Sequence, residues 1–230
     1  MGRLNPKPEN PLVVAIDSSE LAAAERLASS LAGVAGMLKV GLELFWAFGP
    51  EAVRRLSAYG RVFIDSKLHD IPNTVESAAS NIARLGVSMF NVHAIGGGPM
   101  MRAAVEGARK GAEQMGYPSP LVIAVTQLSS IEVGNGAECI ALALQAKENG
   151  LDGVVVSGPC VADVRSACGP EFCLVVPGIR PEGSARQDQV RVLTPREALD
   201  LGADYLVVGR PITRAADPAA EAASLLSTLR

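Results

Sequence analysis

Eight short apolar runs, rich in β-branched residues, recur along the whole chain. They are LVVAID (12–17), MLKVG (37–41), VFID (62–65), MFNVHA (89–94), LVIAVTQ (121–127), GVVVS (153–157), CLVVP (173–177) and YLVVG (205–209). Each is nearly continuous rather than alternating, as expected of parallel strands covered on both faces. Between them lie alanine-rich stretches with helical spacing, such as SELAAAERLASSLA after the first run and NTVESAASNIARLG after the third. The sixth intervening stretch, Cys160 to Cys168, is short, and AADPAAEAASLLSTL supplies an eighth helix. Glycines such as Gly86, Gly150 and Gly202 punctuate the joins. Eight such units predict the α/β class and a single-domain (β/α)8 TIM barrel over 11–230, preceded by a polar, proline-rich extension over 1–10. The alternative is a doubly wound open sheet. Its usual glycine-rich dinucleotide turn after the first strand is absent, and AIDSSE stands there instead.

The length of 230 residues suits one such barrel. Hydrophobic residues at 48% and charged residues at 20% describe a globular chain. Lys plus Arg at 21 against Asp plus Glu at 24 gives a net charge of −3, with no basic surplus for a nucleic-acid partner. Charges interrupt every apolar segment before the roughly 20 residues a membrane span requires. MGRLNPKPENP lacks a signal-peptide apolar stretch, so a cytoplasmic protein without a membrane partner is expected. The four cysteines, Cys139, Cys160, Cys168 and Cys173, form no CxxC pair and read as small buried thiols.

The active site of a barrel lies at the C-terminal ends of its strands. Polar groups collect there. The first run ends in Asp17 and the second carries Lys39. The third ends in Asp65 and Lys67, with Asp70 just beyond. The fifth leads to Gln127 and Ser129, the seventh to PGIR at 177–180, and the eighth to Gly209 and Arg210. Singly, each has a plain structural reading: Asp17 and Asp70 as helix N-caps, Lys39 as a snorkelling lysine. Together, these charges are costly to bury unpaired, and an alternating Asp-Lys-Asp-Lys array satisfies them. Asp65 and Lys67, two apart in an extended strand, project to one side. A lysine among carboxylates is a cation suited to donating a proton or stabilising negative charge.

An anion is the expected partner of the other end. Barrels frequently hold phosphate on the loops after strands seven and eight, here PGIRPEGSARQDQ and GRPIT. Gly209 lets the backbone approach a phosphate, and Arg210 can grip it with paired hydrogen bonds. EGSARQ has the composition of a mobile lid. His69 and His93 lack ligand spacing and read as structural or hydrogen-bonding residues. Gly96-Gly97-Gly98 reads as a flexible turn. No cluster has the spacing of a metal site.

With these residues assembled, the chain resembles the orotidine 5′-phosphate decarboxylase family. DSKLHDIPNT at 65–74 fits the pattern D-x-K-x-x-D-I-P-N-T. AIDSSE, LKVGLELF, NVHAIGGG, AVTQLSS, VPGIRPEG, DQVR and VVGRPIT follow the family's order over nearly the whole chain. The resemblance implies a (β/α)8 barrel, a homodimer with active sites shared across the interface, and no metal or organic cofactor. It implies conversion of orotidine 5′-monophosphate to uridine 5′-monophosphate and CO₂, the last step of pyrimidine nucleotide synthesis.

By the same resemblance Lys67 donates the proton to pyrimidine C6, and Asp65 lies beside the substrate carboxylate. Asp70 completes the array from across the interface. Lys39 links the array and touches the ribose, and Asp17 binds ribose hydroxyls. Ile71 and Thr74 line the neighbouring subunit's part of the site. Ser129 contacts the pyrimidine and Pro177 packs near the base. Arg180, Gln189, Gly209 and Arg210 face the phosphate. The alternative is a Mg²⁺-dependent decarboxylase or aldolase acting on sugar phosphates, which shares D-x-K-x-x-D. The IPNT continuation favours the nucleotide enzyme.

Overall fold

The computed structural model describes residues 4–128, 136–180 and 193–229. Eight parallel strands close into a barrel in chain order: β1 (Leu12–Ile16), β2 (Met37–Val40), β3 (Val62–Leu68), β4 (Met89–His93), β5 (Leu121–Val125), β6 (Gly153–Val155), β7 (Cys173–Val176) and β8 (Tyr205–Val208). Seven of them lie within the apolar runs, and β3 continues three residues past VFID to Leu68. β1 pairs with β8 as well as β2, so the sheet closes and the open-sheet alternative fails.

Ten α-helices accompany the strands among the described residues. They are α1 (Leu21–Ser30), α2 (Leu42–Phe48), α3 (Pro50–Ser57), α4 (Pro72–Ala83), α5 (Gly97–Met115), α6 (Gly136–Glu148), α7 (Val161–Cys168), α8 (Pro195–Asp200), α9 (Arg210–Thr213) and α10 (Pro218–Ser227). The short sixth stretch is helical as α7. Asp217 caps α10 by accepting from the Ala220 N–H at 3.0 Å, and Thr194 and Glu197 form a capping box on α8.

Alternation along each strand divides the core in two. Leu12, Val14 and Ile16 point outward onto the helices, whereas Val13 and Ala15 join Met37, Phe63, Met89, Ile123, Val175 and Tyr205 inside the barrel. Burial of such side chains contributes about 1.5–3 kcal/mol each. The α4–α5 pair packs most closely. A Cβ at Gly107 or Gly111 would lie 2.2 or 2.1 Å from the carbonyl oxygens of Glu76 or Ser80, so only glycine admits this approach.

The floor of the barrel carries its own ion cluster. Asp204, just before β8, meets Lys7 at 2.5 Å and Arg165 at 2.6 Å and accepts from the Leu174 N–H. Arg165 also donates to the carbonyls of Gly202, Gly169 and Phe172. Leu4 packs against the barrel interior, so the segment before β1 is fastened to this floor.

Candidate functional site

At the opposite end the inward positions turn polar. Above Met37, Phe63 and Met89, the next inward residues of β2, β3 and β4 are Lys39, Asp65 and Asn91. The Asp65 carboxylate lies between two ammonium groups, 2.5 Å from Lys67 Nζ and 3.2 Å from Lys39 Nζ. Lys39 is only 8% exposed and also reaches Asp17 at 3.8 Å. Two acids and two lysines therefore satisfy one another where the barrel core ends. Burial pushes the Asp65 carboxyl up. The Lys39 and Lys67 charges, with hydrogen bonds from Lys67 and Asn91, outweigh that and hold it at about 2.

The local backbone differs from a plain extended strand. Lys67 has φ of +48°, the left-handed region that a side chain rarely occupies. The β3–β4 register also shifts between Ile64 and Leu68. Lys67 thus meets Asp65 through a kink rather than through the two-residue alternation of an extended chain. Asn91 Oδ1 accepts from the Lys67 N–H at 2.7 Å, and Asn91 Nδ2 donates to Asp65 Oδ1 at 2.7 Å.

A cavity of about 530 Å³ opens beside this array. Asp17, Lys39, Asp65, Pro177, Arg180, Gly209 and Arg210 all line it, bringing together the expected residues of β1, β2, β3, β7 and β8. Arg180 is buried and donates to the Ile179 carbonyl at 3.0 Å. Burial and the nearby charge of Arg210 push its pKa down. The Arg180 N–H donates to the Leu193 carbonyl at 3.0 Å. Ser129, Gln189 and the EGSARQ segment lie outside the described residues.

Neither acid read as a helix cap serves as one. The N-cap of α1 is Glu20, and that of α4 is Ile71. Asp70 instead accepts from the Ile71 N–H at 2.7 Å. Asp70, Ile71 and Thr74 are exposed and do not line the cavity of their own chain. His93 is half-buried with its ring 5.7 Å from that of His69. Burial, then His69 and Lys67, push its pKa below the usual histidine value. Among the described residues no group of three His, Cys, Asp or Glu side chains could hold a metal ion.

Several contributors escaped the sequence reading. Glu43, Thr213 and Arg214 also line the cavity. Gly41 stands against the same pair: a Cβ there would lie 2.8 Å from Asp17 Oδ1 and 3.1 Å from Lys39 Nζ, so a larger residue would displace the ends of those side chains. Asn91 is 1% exposed and holds the centre of the array. Its signal was a polar residue at an inward position of an apolar run, the same signal that drew attention to Lys39.

The profile of the Orotidine 5'-phosphate decarboxylase / HUMPS family matches residues 10–225. The chain is 50% identical to an orotidine 5'-phosphate decarboxylase of Moorella thermoacetica, covering 96% of this chain and 92% of that one. It is 47% identical to the protein of the same name from Paramagnetospirillum magneticum, over 96% and 98% of the two chains. Among solved structures, orotidine 5'-phosphate decarboxylase from Lactobacillus acidophilus superimposes with a TM-score of 0.83 at 34% identity, covering 96% of this chain and all of that one. The enzyme from Pyrococcus horikoshii gives 0.79 at 25% identity, over 95% and 99%.

Proposed function

Because the chain belongs to the orotidine 5'-phosphate decarboxylase / HUMPS family, we propose that it converts orotidine 5′-monophosphate to uridine 5′-monophosphate and CO₂ in pyrimidine biosynthesis. The observation that carries this reading is the Asp65 carboxylate, which lines a cavity with Lys39, Arg180 and Arg210 and pairs with Lys67 at the cavity's edge. One end supplies a cation and a carboxylate for the reacting carbon. The other supplies guanidinium groups for a phosphate.

Loss of CO₂ leaves an electron pair at C6 with little resonance relief. Catalysis requires the site to stabilise that developing charge more than the bound substrate. Lys67 places its ammonium there and then transfers a proton to C6. Asp65, ionised across the physiological range, lies beside the departing carboxylate and opposes the ground state until CO₂ leaves. Lys39 and Asp17 hold the ribose, Pro177 packs near the base, and Arg180, Gly209 and Arg210 hold the phosphate. Ser129 and Gln189 are assigned the pyrimidine and phosphate contacts of the family pattern. Binding energy at the phosphate helps offset the cost of crowding two carboxylates together.

Asp70, Ile71 and Thr74 are assigned to the partner's site in a homodimer. Their exposure at the start of α4 supports this, with Ile71 a large apolar side chain left on the surface. The enzyme is assigned to the cytoplasm; its four cysteines are buried and free, and no helix among the described residues is long and apolar enough to cross a membrane. No cofactor is assigned. The Asp65 carboxylate already faces two ammonium groups, which would repel a divalent cation.

The test is a spectrophotometric assay following loss of orotidylate absorbance by the purified protein in EDTA. Turnover under chelation is expected. Absence of orotidylate turnover, with Mg²⁺-dependent turnover of a keto-sugar phosphate, would select the sugar-phosphate alternative.

A further inference from the structure

We propose that Asn91 is the positioning residue of the Asp65–Lys67 pair: its one amide holds the Lys67 backbone in its left-handed turn and orients the Asp65 carboxylate against the Lys67 ammonium. This rests on the reading of Lys67 as the proton donor.

The β3–β4 pairing is in step at Ile64↔Phe90 and resumes at Leu68↔Val92. Asp65, Ser66 and Lys67 are therefore opposed by Asn91 alone. Such an excess removes ladder hydrogen bonds and bends the longer strand. Asn91 replaces them. Its backbone carbonyl accepts from Ser66 Oγ at 2.7 Å, and its side-chain oxygen accepts from the Lys67 N–H at 2.7 Å. Lys67 is the non-glycine residue with positive φ among the described residues, a conformation that persists only where surroundings enforce it. The kink returns Lys67 Nζ to within 2.5 Å of the carboxylate two residues earlier.

The orientation of the amide is fixed by its partners. The Lys67 N–H can only donate, so it takes Oδ1. Nδ2 then faces Asp65 Oδ1 at 2.7 Å, an ionised acceptor. At 1% exposure no solvent competes for either bond. An aspartate keeps the acceptor and the shape but sets a second carboxylate on Asp65. An alanine removes both bonds. The charged and titratable groups that face Asp65 are Lys39 from β2, Lys67 from β3 itself and His93 farther along β4, with Asp17 reaching Lys39 from the end of β1.

Asn91→Ala and Asn91→Asp separate positioning from simple packing. Both are expected to bind uridine 5′-monophosphate within a few-fold of wild type, because the ribose and phosphate contacts lie on β1, β2, β7 and β8. For both, kcat should fall on the order of 100-fold with KM little changed, the scale of an ångström-sized misplacement at a reacting centre. In Asn91→Asp the acid limb of the kcat profile should also move to higher pH, because a neighbouring carboxylate disfavours ionisation of Asp65. A crystal structure of Asn91→Ala should find Lys67 out of the positive-φ region and its Nζ displaced from Asp65.

A kcat within twofold of wild type, with only the melting temperature lowered, would overturn the proposal. So would a Lys67 backbone and ion pair unchanged in Asn91→Ala. The crystallographic result is independent of the substrate. If wild type fails to turn over orotidylate, the functional reading falls while the positioning geometry is still decided.

Discussion

Replacing Asp65 with Asn removes one charge and almost no volume, and its cost can be worked from the site. The carboxyl is held at about 2 against an ordinary 3.8, with 16% of its side chain exposed. At about 1.4 kcal/mol per pH unit, that gap corresponds to about 2 kcal/mol of folding free energy. A depressed carboxyl stabilises the fold above its unfolded value and loses that contribution as pH falls through the folded one. Wild type should therefore exceed Asp65→Asn by about 2 kcal/mol at pH 7, or roughly 4–8 °C in melting temperature for a chain of this size. The advantage should shrink by about 1 kcal/mol on going to pH 3. Urea unfolding of both proteins at pH 7, 5, 4 and 3 measures it. The subtraction cancels every other carboxyl. A difference that stays constant down to pH 3 would refute the claim that Lys39 and Lys67 hold Asp65 ionised.

Arg210→Ala should raise KM for orotidylate by roughly 10–150-fold, the range for hydrogen bonds to a charged group, and leave nucleoside binding nearly intact. Titration with nucleotide and nucleoside ligands checks this, and equal losses for both would argue against a phosphate contact. Mixing inactive Asp70→Ala with inactive Lys67→Ala should restore about a quarter of wild-type activity, since half the dimers are mixed and each then has one intact shared site. Activity that stays at zero after subunit exchange would place Asp70 outside the partner's site. Asp204→Ala should cost about 3–5 kcal/mol by leaving Lys7 and Arg165 without their carboxylate at the barrel floor, with kcat unchanged. Chemical denaturation and steady-state kinetics of that variant check both halves.

The eight strands were legible because parallel strands in a barrel are covered on both faces, so LVVAI or CLVV needs no alternation to be recognised. The mouth was legible because Asp17, Asp65 and Arg210 sit where apolar runs stop and Lys39 interrupts one, and charges gathered there must pair. Asn91 was not singled out, because a neutral polar residue inside MFNVHA carries no charge to be explained. The left-handed turn at Lys67 was hidden for a related reason. It is imposed by pairing with β4, and nothing in the local DSKLHD propensity demands it. Asp17 and Asp70 were ambiguous singly, since a helix cap and a site carboxylate use the same residue types. Glu43 lines the cavity from helix α2, and Arg214 from the residue that follows α9.

In the proposed mechanism Lys67 delivers the proton while other residues bind the nucleotide. Single-turnover kinetics of Lys67→Ala, alongside its affinity for uridine 5′-monophosphate, separate the two roles. Turnover should fall to background while nucleotide binding is retained. Near-normal turnover in the purified variant would contradict it.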